Sequence, residues 1–171
     1  GSASIGVAVV RDMATLKTAT AEGDFVVQTI ARGVEHTVDV LVDRAGRCRC
    51  AVPRRRLEVR AGEVSKALTV RNNDVMDLAR RIAEALPAAF GVLNIQVFVD
   101  QETGELAVIE INPRFGGGFP LAWKAGADFP RWLLQEVSGI TCEAVWDGYR
   151  EELVMLRYDD AVFVDAGEAG L

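Results

Sequence analysis

Apolar residues recur at two spacings in this sequence, and the switches between those spacings predict its elements. Helical spacing is clearest in NNDVMDLARRIAEALP, where Val75, Leu78, Ala79, Ile82 and Leu86 make one stripe and Arg80, Arg81 and Glu84 lie off it. Asn73 or Asp74 caps that helix and Pro87 stops it. A shorter helix is predicted over residues 13–21, capped by Asp12 and ended by Gly23, with Met13, Leu16 and Lys17 near one face. FPLAWKAGADFPRWLLQEVSGI predicts two more short helices. Asp128 caps the second, Pro130 sits in its first turn, Gly139 follows its end, and Trp123 and Trp132 are expected in the core. The remaining apolar stretches read as strands. DFVVQTIARGVEHTVDVLVD gives a strand, a link and a strand, and DRAG at 43–46 is a hairpin turn. RCRCAVPRRRLEVRAGEVSKALTV gives strands that turn at Ala61 and Gly62, GVLNIQVFVDQETGELAVIEIN gives a hairpin, and EELVMLRYDDAVFVD holds one more strand. The prediction is an α+β chain, mostly antiparallel sheet with flanking helices.

The hairpin at 91–112 departs from a plain apolar pattern. Asn94, Gln96, Glu110 and Asn112 interrupt runs of Val, Ile and Leu, and polar groups on apolar strands cost free energy unless a partner or ligand satisfies them. A turn centred near Thr103, with Gly104 free to take a positive φ, sets Gln96 opposite Glu110 and Asn94 opposite Asn112. A one-residue slip would send one set to the other face. In that register one carboxylate and two or three amides form a cluster of hard oxygen donors. Mg²⁺ suits such a cluster, since it takes one or two carboxylates and shares its other positions with phosphate and water. Arg114, just beyond the strand, can hold a phosphate or carboxylate through its planar fork. The competing reading is a hairpin with one solvated polar face.

Composition narrows the classes. With 171 residues and half of them hydrophobic the chain can bury a core, and its net charge of −6 argues against general nucleic-acid binding. No apolar run reaches membrane-spanning length, and no basic segment followed by an apolar one opens the sequence. Cys48, Cys50 and Cys142 are an odd number, and one histidine gives zinc few ligands, so reduced thiols in a cytoplasmic protein are expected. His36 reads as a solvated strand residue rather than a base. Arg54, Arg55, Arg56 and Lys66 form a basic group that is either a solvated sheet edge or a set of anion contacts, with Arg56 and Lys66 the stronger candidates for the latter. The composition leaves the oligomeric state open, a homo-oligomer included.

IEINPRFGGG resembles the metal-binding strand of ATP-grasp enzymes, whose typical form is E-x-N-P-R with an amide or acid upstream, here in NIQ. It is most similar to the synthetase domains of the carbamoyl phosphate synthase large subunit and to their smaller ligase relatives. GSASIGVAVV resembles the glycine-rich loop that closes over the triphosphate in that family. The resemblance implies that Gln96, Glu110 and Asn112 hold one or two Mg²⁺ (or Mn²⁺) ions against the ATP phosphates, and that Arg114 faces the transferred phosphate or an acyl phosphate. It implies that Gly1, Ser2, Ser4 and Gly6 approach the triphosphate, that Val27, Gln28 and Ile30 frame adenine, and that Glu35 takes the ribose hydroxyls, with Lys66 among the nucleotide contacts. Family members usually carry an acid where Gln28 or Thr29 stands, which is a departure here. Residues 1–140 would be the nucleotide- and metal-binding part of the C-terminal ATP-grasp subdomain, and 141–171 its last strand and tail.

The implied function is an ATP-dependent carboxylate ligase, with ATP and a small carboxylate as partners. The family's upstream part, with a phosphate-binding lysine and further substrate contacts, is expected to be missing from this chain. Phosphoryl transfer needs positioning and charge neutralisation rather than a general base, which agrees with the lack of a nucleophile–histidine arrangement. The alternatives are a non-catalytic ATP-grasp-like module for assembly or regulation and a metal-dependent phosphohydrolase.

Overall fold

The computed structural model of the chain describes residues 7–21, 23–60, 63–158 and 163. The elements are α1 (Met13–Ala19), β1 (Val34–Val42), β2 (Cys48–Arg60), β3 (Glu63–Thr69), α2 (Asn73–Ala85), β4 (Gly91–Val99), β5 (Leu106–Asn112), α3 (Phe119–Lys124), α4 (Phe129–Val137) and β6 (Val154–Leu156). The strands form one sheet in the order β5-β4-β1-β2-β3-β6, and each neighbouring pair is antiparallel. The expected α+β architecture, a mostly antiparallel sheet with flanking helices, is what the chain adopts.

β1 is central and buried on both faces, with Val38, Val40 and Val42 on one and Thr37, Asp39 and Leu41 on the other. Residues 36–42 are all buried, with Val38, Val40 and Val42 fully so. A strand buried on both faces needs cover on each, and α2 packs across β1, β2 and β4. Its buried residues are Val75, Met76, Ala79 and Ala83, whereas Leu78, Ile82 and Leu86 from the expected stripe are half-buried. The contact line is therefore turned toward the smaller side chains, which let the helix approach the sheet closely. The cap is Asn72, whose side chain accepts a 3.1 Å hydrogen bond from the Val75 amide, one or two residues earlier than the expected Asn73 or Asp74.

Several expectations are corrected. The strand expected in DFVVQTI is not formed: residues 24–32 run without regular structure. Both flanks of β1 are already taken by β2 and β4, so an apolar run beside it finds no ladder to join. Phe25, Val26, Val27 and Ile30 are consequently exposed, and α1, though capped by Asp12 as expected, buries none of its residues. Trp123 is also exposed, with Lys124 Nζ 5.5 Å from its ring centroid, while Trp132 is in the core as expected. His36 is buried rather than solvated, at 5% exposure, with Nδ1 donating to the Val34 carbonyl at 2.9 Å. The turn expected at Ala61 and Gly62 lies outside the described residues. All three cysteines are unpaired, and burial, then the neighbouring Glu84 carboxylate, pushes the Cys48 thiol up to about 12. Among the described residues no helix is long and apolar enough to cross a membrane.

Candidate functional site

The hairpin carries the expected register where the polar residues stand. Asn94 pairs with Asn112 and Gln96 with Glu110. Nearer the turn the pairing is offset by one, with Val97 opposite Val108 and Phe98 opposite Ala107. Ile109 is the extra residue, a β-bulge that returns Glu110 and Asn112 to the face of Gln96 and Asn94. Without the bulge, continuation of the turn-side register would put Ile109 opposite Gln96. Gly104 has the positive φ, +74°, that the turn requires.

Alternation then gathers the polar residues of three strands. Thr37 from β1, Arg54 and Arg56 from β2, and Asn94 and Gln96 from β4 line one cavity with Val64, Arg114 and the Gly116–Gly118 backbone. At its floor is a buried ion pair. Arg54 donates to Asp39 through Nε at 2.5 Å and Nη2 at 3.1 Å, and Asn94 Nδ2 donates to the same carboxylate at 2.8 Å. The side chains of Arg54 and Asp39 are 1% and 0% exposed. Three donors from two side chains satisfy the carboxylate, which is the condition for keeping a charge pair out of water.

The glycines after Arg114 are explained by this floor. A Cβ on Gly118 would lie 2.1 Å from Arg54 Nη1, and one on Gly116 would lie 2.4 Å from Asn94 Nδ2. The backbone is pressed onto the buried trio, and only glycine allows that approach. Gly118 is also the N-cap position of α3.

Above the floor stand the predicted metal ligands. Gln96 Nε2 donates to Glu110 Oε2 at 2.8 Å, which leaves the other Glu110 oxygen and the Gln96 carbonyl oxygen as donors toward a cation. Asn112 is half-buried, and its Nδ2 is buried without a hydrogen-bond partner. Among the described residues no three His, Cys, Asp or Glu side chains gather into a metal cage. One carboxylate with two amide oxygens fits a divalent cation that shares its other positions with phosphate and water, as Mg²⁺ does. Arg114, exposed and lining the cavity, donates a 3.0 Å bond from Nη1 to the Phe115 carbonyl. Arg56 pairs with Glu35, and its Nε is buried without a hydrogen-bond partner. An unsatisfied buried N–H is a place for an anionic oxygen.

Gln96 and Arg114 thus line the cavity together, while Glu110 and Asn112 do not line it and stand opposite Gln96 and Asn94 on β5. Glu35 stands at the margin of the same face, bound to Arg56. Lys66 does not line the cavity and is paired with Glu58 at 2.5 Å. Val27, Gln28 and Ile30 lie on the irregular segment with exposed side chains. Gly1, Ser2, Ser4 and Gly6 are outside the described residues. Reading the sequence missed Asp39, and it ranked Arg54 below Arg56 and Lys66. The available signal was an acid in the middle of a strand otherwise rich in valine, VEHTVDVLV, facing a second strand with an arginine at mid-length.

A family model described as ATP-grasp in the biosynthetic pathway with Ter operon matches residues 21–155. Solved structures share the fold. The complete multifunctional pyruvate carboxylase from Rhizobium etli aligns with 72% of this chain and 13% of its own at TM-score 0.56 and 17% identity. A biotin carboxylase subunit of pyruvate carboxylase aligns with 71% of this chain and 28% of its own, at TM-score 0.56 and 16% identity. The biotin carboxylase domain dimer of Hydrogenobacter thermophilus 2-oxoglutarate carboxylase, in complex with MgADP, ADP and bicarbonate, aligns with 71% of this chain and 28% of its own, at TM-score 0.54 and 15% identity. This chain therefore spans less than a third of the length of these structural relatives. No curated protein sequence matches it.

Proposed function

The chain belongs to this ATP-grasp family, and on that premise we propose that it forms the nucleotide- and magnesium-binding wall of an ATP-dependent carboxylate ligase. The reaction is carbamoyl phosphate synthase-like: a small carboxylate attacks the γ-phosphate of ATP, and an amine or similar nucleophile displaces phosphate from the resulting acyl phosphate. The observation that supports this reading is the pairing of Gln96 with Glu110 and of Asn94 with Asn112 beside the cavity that Gln96, Arg56 and Arg114 line, with Asn112 Nδ2 and Arg56 Nε buried without partners. Such a face offers hard oxygens to a cation and N–H donors to phosphate.

Bound Mg²⁺ would supply charge neutralisation at the phosphate oxygens. Glu110 offers its carboxylate to that ion, with the 2.8 Å bond from Gln96 fixing its rotamer. Asn112 offers Oδ1 to the ion and Nδ2 to phosphate. Arg114 stabilises the charge that develops on the transferred group. The buried Asp39–Arg54–Asn94 trio acts through the glycine backbone, holding the segment after Arg114 at a fixed height above the sheet. Val27, Gln28 and Ile30 await a facing wall to close the adenine slot, and Glu35 takes the ribose diol. Lys66 and the Gly1–Gly6 loop complete the phosphate contacts on closure. The three unpaired thiols agree with a cytoplasmic setting.

The test is phosphate release by the full-length protein with MgATP and panels of small carboxylates, with hydroxylamine as nucleophile. Release that depends on a carboxylate and yields its hydroxamate is expected. Release independent of any carboxylate identifies a phosphohydrolase instead and overturns the ligase reading. Arg114→Ala should lower kcat by about 100-fold or more, as loss of a transition-state charge contact does.

A further inference from the structure

Glu35 and Arg56 form a half-buried ion pair on the cavity face, with side chains 23% and 16% exposed. Glu35 stands two residues before Thr37 on β1, and Arg56 two residues after Arg54 on β2, so both share the face of those lining residues. His36 is paired with Arg55 across the ladder, which sets Glu35 alongside Arg56. Arg56 Nη1 donates to Glu35 Oε1 while Nε is buried without a hydrogen-bond partner. The three arginines of the cavity differ in consequence. Arg54 is neutralised by Asp39 in a fully buried pair, Arg114 has no ion pair among the described residues and donates to a backbone carbonyl, and Arg56 is neutralised by a carboxylate that solvent can reach.

We propose that this pair is a latch that couples recognition of the nucleoside to recognition of the polyphosphate, an inference that rests on the nucleotide-binding function proposed above. While the latch is closed, an anion approaching Arg56 meets the Glu35 carboxylate at contact range, where like charges repel strongly in a half-buried setting. A vicinal diol gives Glu35 two O–H donors in exchange for the guanidinium. Arg56 then turns Nη1 and Nε together to the phosphates, with the fork geometry that suits them. A ligand that carries both groups opens the pair and re-satisfies both charges. A ligand with one group leaves the other charge half-buried and unpaired, which is the costly case. The site thereby selects ribonucleoside polyphosphates over inorganic polyphosphate, which is abundant in charge but has no diol.

The experiment is calorimetric titration of the full-length protein, with Mg²⁺, using ATP, inorganic tripolyphosphate and adenosine. On the wild type, saturating adenosine should tighten tripolyphosphate severalfold, and the reverse by the same factor, since coupling is reciprocal. Glu35→Gln should tighten tripolyphosphate alone by about tenfold while weakening ATP, and adding Arg56→Gln should remove that gain. Independent or antagonistic binding of adenosine and tripolyphosphate overturns the latch. So does a tripolyphosphate affinity that is unchanged or lower in Glu35→Gln. The wild-type arm stands even where a variant fails to fold. Failure of the wild type to bind MgATP would overturn the nucleotide-binding function itself, whereas MgATP binding without the coupling overturns only the latch.

Discussion

Asp39 holds together more of the site than any residue that faces it. Its carboxylate takes two bonds from Arg54 and one from Asn94, all out of water, and the glycine segment rests on those two side chains. Asp39→Ala would strand a buried guanidinium and should destabilise the fold by about 3–5 kcal/mol in urea unfolding. Replacing Asp39 and Arg54 together by Leu and Met should cost less than the single change, because no unpaired charge remains; an equal or larger loss would contradict this account. His36 gives a second check at this level. Burial lowers its pKa from 6.5, so the unfolded chain takes up the proton more readily than the fold. Its contribution to stability is present above the unfolded pKa and declines as pH falls through that value toward the folded one. Unfolding midpoints measured from pH 7.5 to 5 should therefore fall, and His36→Gln should flatten the slope. Glu110 and its amide neighbours were legible in sequence because polar residues there break a hydrophobic run twice with matching spacing. Asp39 was not, since a single mid-strand acid reads equally as a solvated residue until its arginine partner is found on another strand.

The β4–β5 hairpin shows why an element can be right in sequence for an incomplete reason. The turn signal and the alternation predict the Gln96–Glu110 and Asn94–Asn112 pairs, and both form. They form only because the bulge at Ile109 shifts the register between the turn and the site, and nothing in the alternation marks that residue. α2 was legible from its stripe and its stop at Pro87, while its cap was placed one or two residues late because three polar residues in a row can each cap. The DFVVQTI strand was misread, since an apolar run becomes a strand only where it meets a ladder, and β1, the strand that follows it, is already flanked by β2 and β4. The glycines of FGGG were given no role of their own in the sequence, whereas two of them are required by Arg54 and Asn94. Gly118→Ala should accordingly destabilise the protein by about 1–3 kcal/mol, the range for overpacking a tight contact. Gly46→Ala, with open space around its Cβ and only its φ of +75° to oppose it, should cost about 1 kcal/mol. Thermal unfolding of the two variants ranks them, and the reverse order would mean that the glycine segment is not seated on the buried trio.

Taken whole, the molecule is an antiparallel platform on one face of which polar residues of β1, β2, β4 and β5 gather. The fold class follows from sequence because strand and helix periods are local properties. The ligand is less legible, because the patch is a composite of four strands and of backbone that no local window contains. The family match over residues 21–155 joins the two, and is the ground for proposing a nucleotide at the patch. The central claim is that Glu110 and its amide neighbours make nucleotide binding depend on magnesium. Calorimetric titration of the full-length protein with ATP, with and without Mg²⁺, on the wild type and on Glu110→Gln, tests it most directly. Glu110 is exposed, so the substitution leaves the fold intact. Mg²⁺ should tighten ATP by about tenfold or more in the wild type and have no effect in the variant. Equal affinity with and without Mg²⁺ in the wild type, or an unchanged Mg²⁺ effect in Glu110→Gln, would contradict it.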